Sequence, residues 1–268
     1  MIALMLVMAQ AAAGPDAAEI MAKVAANQER AQQARSEFVY QQNLLIRFRR
    51  GNRKLAREER REYLVAPTPN GADKTLTKFS GKYEQKGKVV EYDKAHYKYK
   101  DLDIDGDVIS DLADDMANDS GSRDGVGADL FPLTGREQKK YSFQLKGTEA
   151  YRGREVYRVE FSPTGEDSFW AGTVLVDRLE LQPVSITTRM GRRIPFWVKT
   201  FFGTDLKYLG FSLAYERFDD GIWFPVSYGG EFEVRAVFFY KRFISISLAN
   251  SGFKRTDVNS QIKFADIP

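Results

Sequence analysis

The 268-residue chain contains no cysteine and a single histidine, His96. The first absence excludes disulfides, thiolate metal sites, iron–sulfur clusters and thiol nucleophiles, and the second excludes metal sites built on paired histidines. Any Ser-His-Asp triad would have to pass through His96. A dominant charge is missing too: 40 Lys and Arg face 37 Asp and Glu, and the net +3 announces no polyanionic partner. Long apolar runs are also lacking, for none approaches the ~20 residues of a membrane-spanning helix. What is present is a chain 43% hydrophobic and 13% aromatic, ample for a core. Such a composition favours binding over catalysis and calls for no metal or cofactor.

Residues 1–8 (MIALMLVM) form a short apolar run, and the small residues that follow fit a signal-peptidase site after Ala11 or Ala13. No Lys or Arg precedes the run, as expected if translation starts further upstream. With no cysteine at the cleavage site the product cannot be lipidated. The expectation is a leader over 1–14 and one soluble, periplasmic, monomeric domain over 15–268.

Asp16 is a candidate N-cap for a helix running to Arg35, with Ala17, Ile20, Met21, Val24 and Ala25 on one stripe. From Phe38 the period changes to two: Phe38, Tyr40, Leu44, Ile46 and Phe48 share one parity. Residues 50–53 (RGNR) read as a hairpin turn into a second strand over 54–65, whose dense charge suggests a solvated ladder. Further strands are expected at 75–83, 140–147, 155–161, 169–177, 183–190, 197–202, 206–218, 222–228, 231–241 and 243–249. Asp219-Asp220-Gly221 and Gly229-Gly230 look like turns between them. Late strands alternate as well: Leu209, Phe211, Leu213 and Tyr215 share one face, and Phe232, Val234, Ala236, Phe238 and Tyr240 another. One amphipathic helix cannot cover so broad a face, so the sheet must close on itself or curl around a cavity. A fully packed core is the alternative.

The middle, 93–135, breaks the regularity. Its segment 101–124 holds nine Asp against Arg123, a local net of −8, whereas 47–62 holds eight basic and three acidic residues, a local net of +5. Val108, Leu112 and Met116 recur at helical spacing, and Leu130 and Phe131 belong to an apolar plug, so this acidic insert reads as a lid of short helices or loops. Asp101-Leu-Asp103-Ile-Asp105-Gly106-Asp107-Val108 matches the start of a calcium-binding loop, but Leu112 occupies the position of the bidentate Glu. The other reading is an acidic start to a helix. His96 falls in a stretch, 95–100, that alternates like an edge strand. Gly210-Phe211-Ser212-Leu213-Ala214 lies mid-strand and is no nucleophile elbow. The glutamates within the basic hairpin, together with export, disfavour nucleic acid.

Residues 145–163 (LKGTEAYRGREVYRVEFSP), then 172–178 (GTVLVDR) and 181–184 (LQPV), resemble the periplasmic outer-membrane lipoprotein-sorting carriers, the LolA/LolB-like superfamily. The resemblance covers about residues 16–190, with 219–225 (DDGIWFP) similar to a later strand of distant members. It implies a mainly antiparallel β (α+β) fold: an incomplete, strongly curved β-barrel with an amino-terminal helix and short lid helices over a hydrophobic cavity. It implies a non-enzymatic carrier that shields acyl chains of lipoproteins or other lipids between an inner-membrane donor and an outer-membrane acceptor. Family members latch the lid with an arginine just before a proline after the second strand; here Ala66 precedes Pro67. The expected cavity lining is Phe38, Tyr40, Leu44, Ile46, Phe211, Leu213, Phe232, Val234 and Phe238, with Leu130 and Phe131 in the lid. An envelope sensor or protein-interaction module using the same concave sheet is the alternative function.

Overall fold

The computed structural model describes residues 15–68, 71–118, 131–165, 168, 170–190, 204–218, 221–236 and 240–256. Helix α1 (Ala17–Arg35) begins where the Asp16 side chain accepts from the Ala18 amide, and buries Ala17, Ile20, Met21, Val24 and Ala25 as its stripe requires. Among the described residues eleven strands follow: β1 (Phe38–Arg50), β2 (Leu55–Thr68), β3 (Gly71–Gln85), β4 (Lys88–Tyr92), β5 (Tyr141–Tyr151), β6 (Arg154–Pro163), β7 (Trp170–Asp177), β8 (Pro183–Met190), β9 (Thr204–Arg217), β10 (Trp223–Ala236) and β11 (Tyr240–Arg255). Helices α2 (Ile104–Asn118) and α3 (Gly135–Gln138) lie between β4 and β5.

All strands join one antiparallel sheet in the order β4-β3-β2-β1-β11-β10-β9-β8-β7-β6-β5. The β1–β11 pairing joins two meanders, and the sheet is not closed into a barrel. Its edges, β4 and β5, are consecutive strands, so the chain that carries α2 and α3 is also the bridge between the two free edges.

Tight hairpins set the register. The β3–β4 and β5–β6 turns place Lys86-Gly87 and Arg152-Gly153 at positive φ, as two-residue turns matched to strand twist require. Gly229-Gly230 is no turn: β10 runs straight through it, and Gly230 gives way to the Phe211 ring of β9, where an added Cβ would stand 2.5 Å from Cδ1. β10 runs to Ala236 and β11 begins at Tyr240, so the boundary expected near Arg242 falls earlier, and β4 is an additional strand. Residues 95–100 form bends instead of a strand, with His96 at φ 57. The strand expected at 197–202 lies outside the described residues.

Candidate functional site

Residues paired across antiparallel strands share a face, so the register reads out the concave surface directly. One row crosses all eleven strands: Phe143, Phe161, Gly172, Thr188, Phe211, Gly230, Ile246, Ile46, Glu59, Gly81 and Tyr92. The neighbouring row runs Leu145, Val159, Val174, Ile186, Leu213, Tyr228, Leu248, Leu44, Arg61 and Phe79. From β5 to β1 the face is apolar and aromatic. At β2 it turns ionic, with Arg57, Glu59 and Arg61 standing where the pattern would otherwise place aliphatic side chains.

The expectation of a solvated β2 ladder is thereby corrected: Arg57, Glu58, Glu59 and Arg61 are all buried. Both parities of 57–62 are charged, so sequence alternation carried no sign of which side faces inward. Arg57, Glu59 and Arg61 are covered by α2, which lies on β1 and β2, whereas Glu58, on the opposite face, is covered by Arg47, Arg60 and Lys82. The Arg57 guanidinium donates to Asp103 Oδ2 at 2.7 Å, to Tyr92 Oη at 2.7 Å and to the Tyr97 carbonyl. Glu59 accepts from Tyr92 Oη at 2.8 Å and from Arg61 Nη2 at 2.8 Å, and Arg61 Nη1 reaches Asp114 at 3.3 Å. Four residues of strand span ~13 Å and eleven of helix ~16 Å, so Asp103 and Asp114 can each meet one of the arginines along β2. At the start of α2, Arg242 holds Asp105 by Nε at 2.8 Å and Nη2 at 2.9 Å and Tyr240 adds a hydrogen bond at 2.8 Å; at its end, Lys74 Nζ donates to the Met116 carbonyl at 2.7 Å.

Burial tends to lower the basicity of Arg57, but Tyr92, Asp103 and Glu59 outweigh it and leave the guanidinium above its ordinary value. Arg61 follows the same balance, with Glu59 as its main partner. Burial and the Glu59 carboxylate push the Tyr92 phenol well up, so it stays protonated and relays a hydrogen bond from arginine to glutamate.

The calcium-loop match resolves as the start of α2. Asp103 accepts from the Gly106 amide at 3.1 Å, Asp105 belongs to Arg242, and Asp107 pairs with Lys98. The carboxylates thus turn to three different partners, and no metal-holding cluster occurs among the described residues. His96 is exposed, with Nε2 3.7 Å from Asp114. A polar groove of about 600 Å³ lies over β2–β4 and includes Glu58, Arg60, Lys82 and Glu91.

Of the expected lining, Tyr40, Leu44, Ile46 and Leu213 are buried in the main core, and Phe211, Phe232 and Val234 are half-buried against it. Phe211 stacks on Tyr228 at 5.5 Å and meets Trp170 edge-on at 5.3 Å. Phe38 instead joins Phe224, 5.0 Å away, in a cluster with Phe218 and Phe253. Phe131 is 1% exposed, packed into the main core. Leu130 and Phe238 lie outside the described residues. Sequence reasoning missed the polar network of Arg57, Arg61, Asp103, Asp105 and Arg242.

No family model and no curated protein matches the sequence. Similar solved structures include a domain from Vibrio parahaemolyticus described as an outer membrane lipoprotein-sorting protein, 11% identical with a TM-score of 0.40, covering 92% of this chain and 96% of that one. A DUF1329 family protein from Desulfovibrio piger is 14% identical with a TM-score of 0.38 over the same shares of the two chains. A LolA superfamily protein from Nitrosomonas europaea is 15% identical with a TM-score of 0.35, covering 91% and 96%.

Proposed function

We propose that this protein is a non-enzymatic carrier of the cell envelope that shelters acyl chains, of a lipoprotein or another lipid, on the concave sheet beneath α1 and α2. The observation that carries the reading is the contrast between the two helices. α1 is fixed by an apolar stripe and by Asn27, whose Nδ2 donates to the carbonyls of Glu180 and Leu181 at 2.9 and 3.0 Å. α2 fully buries only Ile109 and Ala113, packs Val108, Leu112 and Met116 partly against the core, and is held in addition by charge pairs at both ends. Lifting it exposes carboxylates and guanidiniums that regain hydration, whereas lifting an apolar roof forfeits ~25 cal/mol for each Å². Such a roof over β1 and β2 can open at modest cost at the border of the apolar face.

Transfer energetics suit the role. Each sheltered methylene contributes about 0.8 kcal/mol, so roughly ten give about 8 kcal/mol and micromolar affinity. That is tight enough to prevent loss to water and loose enough for hand-over. In this reading 1–14 is a cleaved leader and the domain works in the periplasm between a donor and an acceptor. Native mass spectrometry of protein purified from periplasm should find co-purified lipid. Phe211→Glu or Phe232→Glu should abolish binding of a fatty-acyl fluorophore while the β-sheet circular dichroism is kept. Unchanged binding in both variants refutes the assignment.

A further inference from the structure

Three arginines on the concave side of the sheet take carboxylate partners from the α2 segment: Arg57 pairs with Asp103, Arg61 with Asp114 and Arg242 with Asp105. Arg57 and Arg61 also face Glu59, a carboxylate of β2 itself, so the sheet supplies part of their counter-charge. Arg242 differs. Among the described residues Asp105 is its sole carboxylate partner, and the two meet as a fork, Nε to Oδ1 at 2.8 Å and Nη2 to Oδ2 at 2.9 Å. The other contacts that orient this guanidinium belong to β11: Nη1 donates to the Lys241 carbonyl at 2.9 Å, and Cζ stands over the Tyr240 ring, 4.6 Å from its centroid. Tyr240 Oη donates to the same Asp105 oxygen at 2.8 Å, and burial together with Asp105 pushes the phenol up, so it stays a donor. Nε, Nη2 and Oη of one strand therefore converge on a carboxylate that is not part of the sheet. Beside this cradle the strand is apolar: Ile244, Ile246 and Leu248 follow at alternate positions, all buried, opposite Phe48, Ile46 and Leu44 of β1.

Resting on the carrier reading for the acyl chain and for the lifting of α2, we propose that Arg242 and Tyr240 form the subsite for a two-oxygen anionic group, phosphate or carboxylate, of the bound amphiphile, and that Asp105 fills this subsite while α2 is closed. A planar fork with parallel N–H donors matches carboxylate and phosphate oxygens, whereas an uncharged headgroup offers it no counterpart. Lifting α2 takes Asp105 away, while the Tyr240 ring and the Lys241 carbonyl keep the guanidinium aimed. An incoming anion then replaces one charge by another at a preorganised cradle. The spacing suits an amphiphile: the six residues from Arg242 to Leu248 span ~20 Å of strand, so a charged group at Arg242 has an apolar track of that order beside it. Asp105 is thus an internal competitor, and affinity for an external anion falls to the extent that Asp105 occupies the cradle.

Calorimetric titration of the purified protein with dodecyl phosphate, dodecanol and inorganic phosphate tests it. Dodecyl phosphate should bind about tenfold more tightly than dodecanol. Inorganic phosphate should bind far more weakly than dodecyl phosphate, because it lacks the chain. Arg242→Gln should bring the two amphiphiles to within about twofold by weakening dodecyl phosphate alone, and Tyr240→Phe, which keeps the ring, should weaken it about threefold. Arg178→Gln removes an equal charge at the β7–β8 turn and should keep the wild-type ratio. Asp105→Asn has the opposite sign: with the competitor removed, dodecyl phosphate should bind several-fold more tightly. That variant leaves the sheet untouched, so it decides the matter even where Arg242→Gln does not fold. Equal affinity for dodecyl phosphate and dodecanol in the wild type, or a weaker dodecyl phosphate complex in Asp105→Asn, overturns the subsite and leaves the carrier reading standing. Binding of neither amphiphile refutes the carrier reading and the amphiphile subsite with it; Arg242-dependent binding of inorganic phosphate would then assign the cradle to a free anion.

Discussion

Arg57 and Asp103 form an ion pair of 2.7 Å in which each side chain is only 1% exposed. Removing two such charges from water costs several kcal/mol each, repaid only when every polar atom is matched. Here the match is close to complete: Tyr92, the Tyr97 carbonyl and Glu59 complete the guanidinium, and the Tyr99 and Gly106 amides complete the carboxylate. The pair joins the sheet to the first turn of α2, so one contact reports on both stability and closure.

Removing one partner should therefore be worse than removing both. Asp103→Leu leaves Arg57 charged and buried, and is expected to cost about 3–5 kcal/mol in urea unfolding. Arg57→Met combined with Asp103→Leu should recover a large part of that loss. A double variant no more stable than the single one would show that the pair contributes more than its desolvation costs.

Glycines under aromatic rings make a second class of test. A Cβ at Gly172 would stand 2.0 Å from the Thr187 carbonyl and 2.7 Å from the Phe161 ring, and the backbone oxygen cannot rotate away. Gly172→Ala should cost more than 3 kcal/mol in chemical denaturation, in the range of severe overpacking. Gly135→Ala meets nothing within 4 Å and has no positive φ, so it should stay within about 0.5 kcal/mol of wild type.

How much of this was legible in sequence depends on the pattern each element carries. α1 and β1 showed clean periods of 3.6 and two, and both appear within a residue of expectation. β10 was split at Gly229-Gly230 because a pair of glycines signals a turn as readily as it signals a close ring contact; only the β9 register, which puts Phe211 opposite Gly230, distinguishes them. The candidate face was visible as aromatic parity in β9 and β10. The polar network was not, since Arg57, Glu59 and Arg61 alternate with Glu58, Arg60 and Glu62, and the partners of the two arginines, Asp103 and Asp114, sit more than forty residues away at the start and within α2. Charge at long sequence separation leaves no period to read.

Acid should find a different weak point, Glu58. Burial raises its proton affinity, but Arg47 and Lys82 outweigh this, so its folded value lies below the ordinary 4.5. A carboxylate depressed in the folded state adds stability that is present above its unfolded value and is lost as pH falls through its folded value. The melting temperature should therefore decline below about pH 4.5, and Glu58→Gln should flatten that decline while lowering the plateau at neutral pH. An identical acid slope in the variant would assign the loss to other carboxylates.

The two helices should also open on different scales. Hydrogen exchange samples local openings whose free energy follows the apolar contact that must be broken. α1 inserts Ile20, Met21 and Val24 into the core, each 3% exposed or less, and is clamped by Asn27 and by Arg35, which donates to the Trp223 carbonyl at 2.8 Å. α2 commits only Ile109 and Ala113 as fully buried apolar side chains, packs Val108, Leu112 and Met116 partly, and adds charges that water can resolvate. Amides of α2 should thus exchange at least tenfold faster than those of α1, and a fatty-acyl ligand on the concave face should slow α2 selectively. Equal exchange in both helices, at the rate of global unfolding, would mean that α2 is a fixed part of the core, and the carrier reading would lose its moving roof.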